Sequence, residues 1–206
     1  MGPGRLSPDT GHDAPERQPF RILIVCTANI CRSPLAERLL WRALDDPTEA
    51  GSPLQFVVHS AGTQGWDGSP MDPCVADELR RLGGDPTGFL AKSLQPTYCE
   101  RADLILTATL AHRATVLQEV PQALKRTFTL LEFAHLVEHI EHVRAAEGDP
   151  AELVTRAAAA RGAAELEMYD VLDPYGAAPE VHRETADLMD HAVRGIASAL
   201  RGRIPH

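Results

Sequence analysis

The chain has 206 residues, 44% of them hydrophobic, and a formal net charge of −9, which suits a single α/β domain with a sizeable core. The acidic balance, with no basic stripe to neutralise phosphates, weighs against a nucleic acid or a membrane surface as partner. No run approaches the roughly 20 apolar residues of a membrane span, the N-terminus lacks a signal-peptide layout, and the four cysteines Cys26, Cys31, Cys74 and Cys99 show no secreted disulfide spacing, so a cytoplasmic location is expected.

Residues 1–19 are rich in Gly, Pro, Asp and Ser with almost no apolar content, and such a segment is expected to be a disordered tail. Arg21 to Val25 is predicted as the first strand, apolar without alternation, as a strand buried on both faces should be. After the loop Cys26–Ser33, apolar residues Leu35, Ala36, Leu39, Leu40 and Ala43 recur at helical spacing from Pro34 to about Leu44. Phe56–His59 reads as a second strand, Asp72–Leu82 as a helix closed by Gly83-Gly84, Ala102–Thr107 as a third strand, Leu110–Glu119 as a helix, and Arg126–Leu131 as a fourth strand. Strands alternating with helices give a parallel sheet covered on both faces. From Glu132 to about Glu167 the pattern is helical twice. Phe133, Leu136, Val137, Ile140 and Val143 share one face, Gly148-Asp149-Pro150 breaks it, and Ala151–Leu166 resumes it, as in an inserted hairpin at about 134–167. His135, His139 and His142 lie opposite that apolar face at metal-like spacing, but Glu138 and Glu141 crowd the same side and mark it as a solvated stripe. Pro179–Leu200 is the last predicted helix, and residues 20–206 are expected to form one domain.

The stretch Cys26-Thr27-Ala28-Asn29-Ile30-Cys31-Arg32-Ser33 carries the chemistry. A cysteine at the carboxyl end of a buried strand, on a turn that opens a helix, lets successive backbone N–H groups converge on one anion. The same field favours thiolate over thiol at Cys26. The planar fork of Arg32 suits bidentate binding of two phosphoryl oxygens, and Ser33 is placed to donate a hydrogen bond to the thiolate. Cys31, five positions after Cys26, is placed to trap an oxidised Cys26 as a disulfide.

The pattern V-C-x-x-N-x-C-R-S-P resembles the signature loop of the low-molecular-weight protein-tyrosine phosphatases, and the likeness extends over about residues 20–133 and 168–200. It implies a doubly wound four-stranded parallel sheet in the order 2-1-3-4, flanked by helices, with the site at the carboxyl ends of the strands. It implies a cysteine-dependent phosphatase acting on phosphotyrosine in proteins or on small aryl phosphates through a phosphocysteine, with no metal and no cofactor. Thr27, Ala28, Asn29, Ile30, Cys31 and Ser33 then form the substrate loop around Cys26 and Arg32. Ala28 stands where relatives commonly have Gly, and Asn29, which tolerates left-handed backbone, is expected to carry the turn instead. Ser60, in Ser-Ala-Gly-Thr-Gln-Gly-Trp, falls on a loop-bracing serine, and Trp66 on an aromatic wall of the cleft.

Asp-Pro occurs five times, at Asp46, Asp72, Asp85, Asp149 and Asp173, mostly as turn starters. Only Asp173-Pro174-Tyr175 sits ahead of the last helix as the family's D-P-Y loop does. A departing alkoxide or phenolate needs a proton, so Asp173 is assigned as general acid, with Asp170 as the competing carboxylate and Tyr175 as a second wall. Ile30 is expected on the rim, favouring an aromatic ring where relatives acting on phosphoarginine carry Thr. Two alternatives stand beside this reading: an arsenate reductase, for which Thr107–Leu117 offers no relay cysteine, and a catalytically weak phosphoprotein-binding module. The sequence leaves the oligomeric state open.

Overall fold

The computed structural model describes residues 18–44, 55–141, 149–162 and 166–202. The expected tail therefore lies, up to residue 17, outside the described residues, as do His142 and Val143. Four parallel strands, β1 (Phe20–Cys26), β2 (Phe56–Gly62), β3 (Leu104–Thr107) and β4 (Thr127–Thr129), form one sheet in the order β2-β1-β3-β4. Strand β1 pairs with β2 from Phe20↔Phe56 to Cys26↔Gly62 and with β3 from Ile22↔Leu104 to Val25↔Thr107. Its alternate residues enter two cores. Ile22 and Ile24 join Leu104 and Leu106 on one face, while Leu23 and Val25 join Ile105 and Val116 on the other, which is why the strand reads as a continuous apolar run.

The first face is covered by α1 (Arg32–Leu44), α2 (Pro73–Arg81), α5 (Leu130–Glu141), α6 (Pro150–Ala160) and α7 (Pro179–Leu200), and the second by α3 (Pro96–Arg101) and α4 (Leu110–Glu119). Helix α2 starts at a capping Asp72, whose Oδ1 accepts from the amides of Cys74 and Val75, with Pro73 at the favoured first position. No helix among the described residues is long and apolar enough to cross a membrane.

Three boundaries differ from the sequence reading. Helix α3 follows Pro96 in a stretch read as turns. The fourth strand is only Thr127–Thr129, because Thr129 and Glu132 form a reciprocal cap: the Glu132 amide donates to Thr129 Oγ1 at 3.1 Å and the Thr129 amide to Glu132 Oε2 at 3.2 Å. That capping box starts α5 at Leu130, where an extended strand was expected. Helix α6 ends at Ala160 rather than running on to Leu166, and Gly162 follows with φ +80.

The first helix of the expected hairpin is part of the main core. Phe133, Leu136, Val137 and Ile140 are buried, and α5 packs along α7. Helix α6 is tied down by charge. Arg161, at its end, lies 3.9 Å over the Phe128 ring and reaches Glu132 Oε1 at 3.1 Å, while Arg113 meets Glu132 Oε2 at 3.3 Å. Glu132 thus serves two guanidinium groups and one helix cap from a buried position. Removing its carboxylate leaves two cations unpaired and should lower stability by about 3 kcal/mol. Urea unfolding of Glu132→Ala checks this, with exposed Glu152→Ala expected to change by under about 0.5 kcal/mol.

Candidate active site

Strand β1 delivers Cys26 to the carboxyl edge of the sheet, and residues 27–31 turn the chain into α1. The turn is made at Asn29, the one non-glycine residue with positive φ (58°) among the described residues. Ala28 therefore needs no left-handed backbone, as expected. A left-handed L-residue costs roughly 1–2 kcal/mol, and three side-chain bonds offset it. Asn29 Nδ2 donates to Ser33 Oγ and to Ser60 Oγ, both at 2.8 Å, and Oδ1 accepts from the Lys92 amide at 2.9 Å. Ser33 Oγ, which accepts from Asn29, is 2.9 Å from Cys26 Sγ, within reach to donate its proton to a thiolate there. Ser60 in turn donates to Glu37 Oε2 at 2.5 Å.

The scaffold grips this loop by its carbonyls. Cys26 O, Thr27 O and Ala28 O accept from the amides of Thr63, Gln64 and Trp66, Ile30 O from Asp72, and Cys31 O from Leu35. No described protein group accepts from the N–H groups of residues 27–31, which leaves those donors to an anion. The fit requires glycine at the end of β2. A Cβ on Gly62 would lie 2.4 Å from Thr27 O and 2.9 Å from Asn29 N, so any side chain there would push the loop away.

Arg32 is buried at the first position of α1. Its Nη1 donates to Val171 O at 3.1 Å, and its Nη2 to Thr27 Oγ1 at 3.3 Å and to Asp173 Oδ2 at 2.6 Å. Arg32 Nε is buried without a hydrogen-bond partner. The Asp173 segment is anchored from below, the Val171 amide donating to Ala108 O at 2.8 Å. Asp173 itself is 49% exposed. Asp170 is committed elsewhere: its Oδ1 accepts from the Leu110 amide at the start of α4. Trp66 and Tyr175, 48% and 55% exposed, meet edge to face with centroids 5.5 Å apart.

Two expected placements turn out otherwise. Ile30 does not stand on the rim. It is 6% exposed and packs into the main core, because the loop turns it toward α1 and α2. Of the two described histidines on α5, His139 is exposed and His135 half-buried in a groove with Leu131 and Met168. Cys31 is a buried free thiol, pushed far up in pKa first by burial and then by the negative charge of Asp72, so it stays protonated.

Two contributors were not found from sequence. Glu37 lies on α1 one turn beyond Ser33. His112 lies on α4, and its Nε2 is 2.9 Å from Thr27 Oγ1 while Nδ1 is 2.7 Å from Thr109 Oγ1. A neutral ring closes both bonds, since one nitrogen donates and the other accepts. Burial, aided by the Arg32 charge, pushes His112 down to about 4. Thr109-x-x-His112, directly after the third strand, was the available signal.

Residues 21–153 match the family described as low molecular weight phosphotyrosine protein phosphatase. The chain is similar to the low molecular weight protein-tyrosine-phosphatase Ptp of Acinetobacter johnsonii, 37% identical over 109 residues, spanning 53% of this chain and 70% of that protein. It is also similar to a protein-arginine-phosphatase of Geobacillus stearothermophilus, 26% identical over 183 residues, or 89% of this chain and 97% of the relative. Among solved structures, the YwlE arginine phosphatase from the same organism superposes with a TM-score of 0.64 at 25% identity, covering 89% of this chain and 94% of that one.

The depressed His112 fixes a sign for the pH dependence of stability. Between about pH 4 and 6.5 the unfolded chain takes up a proton that the folded His112 refuses, so its contribution is complete above pH 6.5 and is lost as pH falls toward 4. His112→Gln should flatten this part of the curve. Urea midpoints at pH 7 and pH 5 check it, the wild type falling more than the variant.

Proposed function

Because the chain belongs to the low molecular weight phosphotyrosine protein phosphatase family, we propose that Cys26, Arg32 and Asp173 hydrolyse phosphotyrosine in proteins, or small aryl phosphates, through a phosphocysteine. The observation that carries the reading is the meeting of a thiol, a buried guanidinium and an exposed carboxylate at one loop with unclaimed amides. The amides of 27–31 and Arg32 hold the three non-bridging oxygens, making this the phosphate-binding loop. Cys26 Sγ attacks phosphorus as the thiolate, the P–O bond to the leaving group breaks, and Asp173 gives that oxygen its proton. Asp173, now a carboxylate, takes a proton from water as the water attacks phosphorus and releases Cys26. Ser33 stabilises the thiolate at both ends of the cycle. Asn29 and Ser60 keep the loop in shape, and His112 orients Thr27.

Trp66 and Tyr175 form the walls against which an aromatic ring would lie, while buried Ile30 offers no polar atom to a guanidinium. A cytoplasmic site of action fits the four free thiols. An arsenate reductase is disfavoured because Thr107–Leu117 contains no cysteine. Hydrolysis of phosphoarginine is the second reading, favoured by the likeness to the Geobacillus protein along nearly its whole length.

Matched phosphopeptides separate the two readings. Wild type should act on phosphotyrosine with kcat/KM at least about tenfold above phosphoarginine, a difference of about 1.4 kcal/mol in transition-state binding. Cys26→Ser should lose turnover by at least about 1,000-fold while still binding vanadate. Residual turnover near the wild-type level would remove the covalent mechanism, and a preference for phosphoarginine would move the substrate class.

The assignment of the acid has its own check. Asp173→Asn should slow an alkyl phosphate by roughly 100-fold or more and p-nitrophenyl phosphate by under about tenfold, since only the poorer leaving group needs the proton. Equal losses on both substrates would take the acid role from Asp173.

A further inference from the structure

The start of α2 and the first turn of α7 meet beside the 26–33 loop, and three side chains of metal-binding type converge there. Asp72, Cys74 and His182 each present one donor atom, and the three atoms lie within 4.8 Å of one another. Asp72 is fixed in place. Its amide donates to Ile30 O and its Oδ1 caps α2, which leaves Oδ2 for a ligand. Cys74 is exposed, so the cluster is open to solvent.

His182 supplies an independent observation. It is 4% exposed, and its Nδ1 is buried without a hydrogen-bond partner. Buried ring nitrogens are normally paired, and the cluster brings a carboxylate and a thiol to this ring. An ion that takes Nδ1 as its ring donor would satisfy all three at once.

We propose that Asp72, Cys74 and His182 form a Zn2+ site that ties the start of α2 to the start of α7. One sulfur, one nitrogen and one oxygen select a borderline-soft divalent ion and disfavour Mg2+ and Ca2+, which require oxygen ligands. Three protein ligands leave the fourth tetrahedral position to water. Ligand atoms around a tetrahedral zinc are about 3.3–3.8 Å apart, so rotation of the exposed Cys74 side chain toward the fixed Asp72 carboxylate and His182 draws the cluster closed. Cys74 binds as thiolate, its proton passing to solvent, with no change of oxidation state. His182 borders the same narrow crevice as Cys31, Arg32 and Pro174. The ion therefore braces the loop and the Asp173 segment from outside the reaction centre.

The test uses the full-length, untagged Cys26→Ser protein, so that the nucleophilic thiol is not itself a zinc ligand. Zn2+ is titrated in competition with a chromophoric chelator, and Co2+ serves as the spectroscopic probe. One equivalent should bind, with a thiolate-to-cobalt charge-transfer band, and Zn2+ should raise the unfolding temperature. Adding Cys74→Ser, a change at an exposed position, should weaken Zn2+ binding by roughly tenfold or more and abolish both the band and the thermal shift. His182→Gln should do the same from the buried side. Absence of stoichiometric binding, or a loss smaller than tenfold in the Cys74→Ser protein, overturns the site.

Discussion

Everything at the site depends on holding eight residues of backbone in a shape that an isolated peptide would not keep. The strained position is Asn29, and the structure stabilises it by using every polar atom of its side chain: two serines below and the Lys92 amide beside it. The same bonds set the chemistry. By bonding Ser33 Oγ, Asn29 holds that hydroxyl beside Cys26, so one side chain both shapes the loop and orders the surroundings of the thiol. Carbonyls bonded outward to the amides of Thr63, Gln64, Trp66 and Asp72 complete the division, scaffold on one side and free amides on the other.

The sheet serves this arrangement directly. Strand β1 lies between β2 and β3, with both of its faces buried, so the position of Cys26 is fixed by pairing on two sides. The site stands where the strand order reverses, at which loops from neighbouring strands diverge and leave a crevice. From β2 comes Gly62, whose missing side chain lets the loop lie flat against it. From beyond β3 comes His112, and the far end of the chain contributes Asp173 through Val171.

Much of this was legible in the sequence because the loop is local. Cys26, Asn29, Arg32 and Ser33 lie within eight residues, and the apolar run before them and the helical spacing after them leave one way to fold. The strand order and the left-handed Asn29 also agree with that reading. What was not legible depends on partners distant along the chain or on end signals that outweigh local propensity. Glu37 and His112 acquire a role only through Ser60 and Thr27, 23 and 85 positions away. The fourth strand is shorter than its apolar run suggests because Thr129-x-x-Glu132, hidden in that run, starts a helix there. Ile30, four positions after Cys26, reads as a rim residue from its place in the loop, yet a turning loop alternates its side chains, and this one falls to the core.

The 2.6 Å bond between Arg32 and Asp173 also bears on which anions the protein can hold at all. In the Arg32–Asp173 pair the carboxylate is tethered beside the guanidinium at an effective concentration on the order of millimolar or above, and the proton that Asp173 delivers in the proposed cycle has to arrive with the phosphoryl substrate that opens the pair. Any visiting anion has to displace the carboxylate. A halide or a lone carboxylate offers Arg32 no more than the tether already does, and loses. A phosphoryl group engages the free amides of 27–31 as well, and only such a multi-pronged ligand gains enough to open the pair. After hydrolysis Asp173 holds the proton taken from water, so in the proposed cycle the pair with Arg32 reforms only as that proton leaves, and recapture of the guanidinium is coupled to its loss.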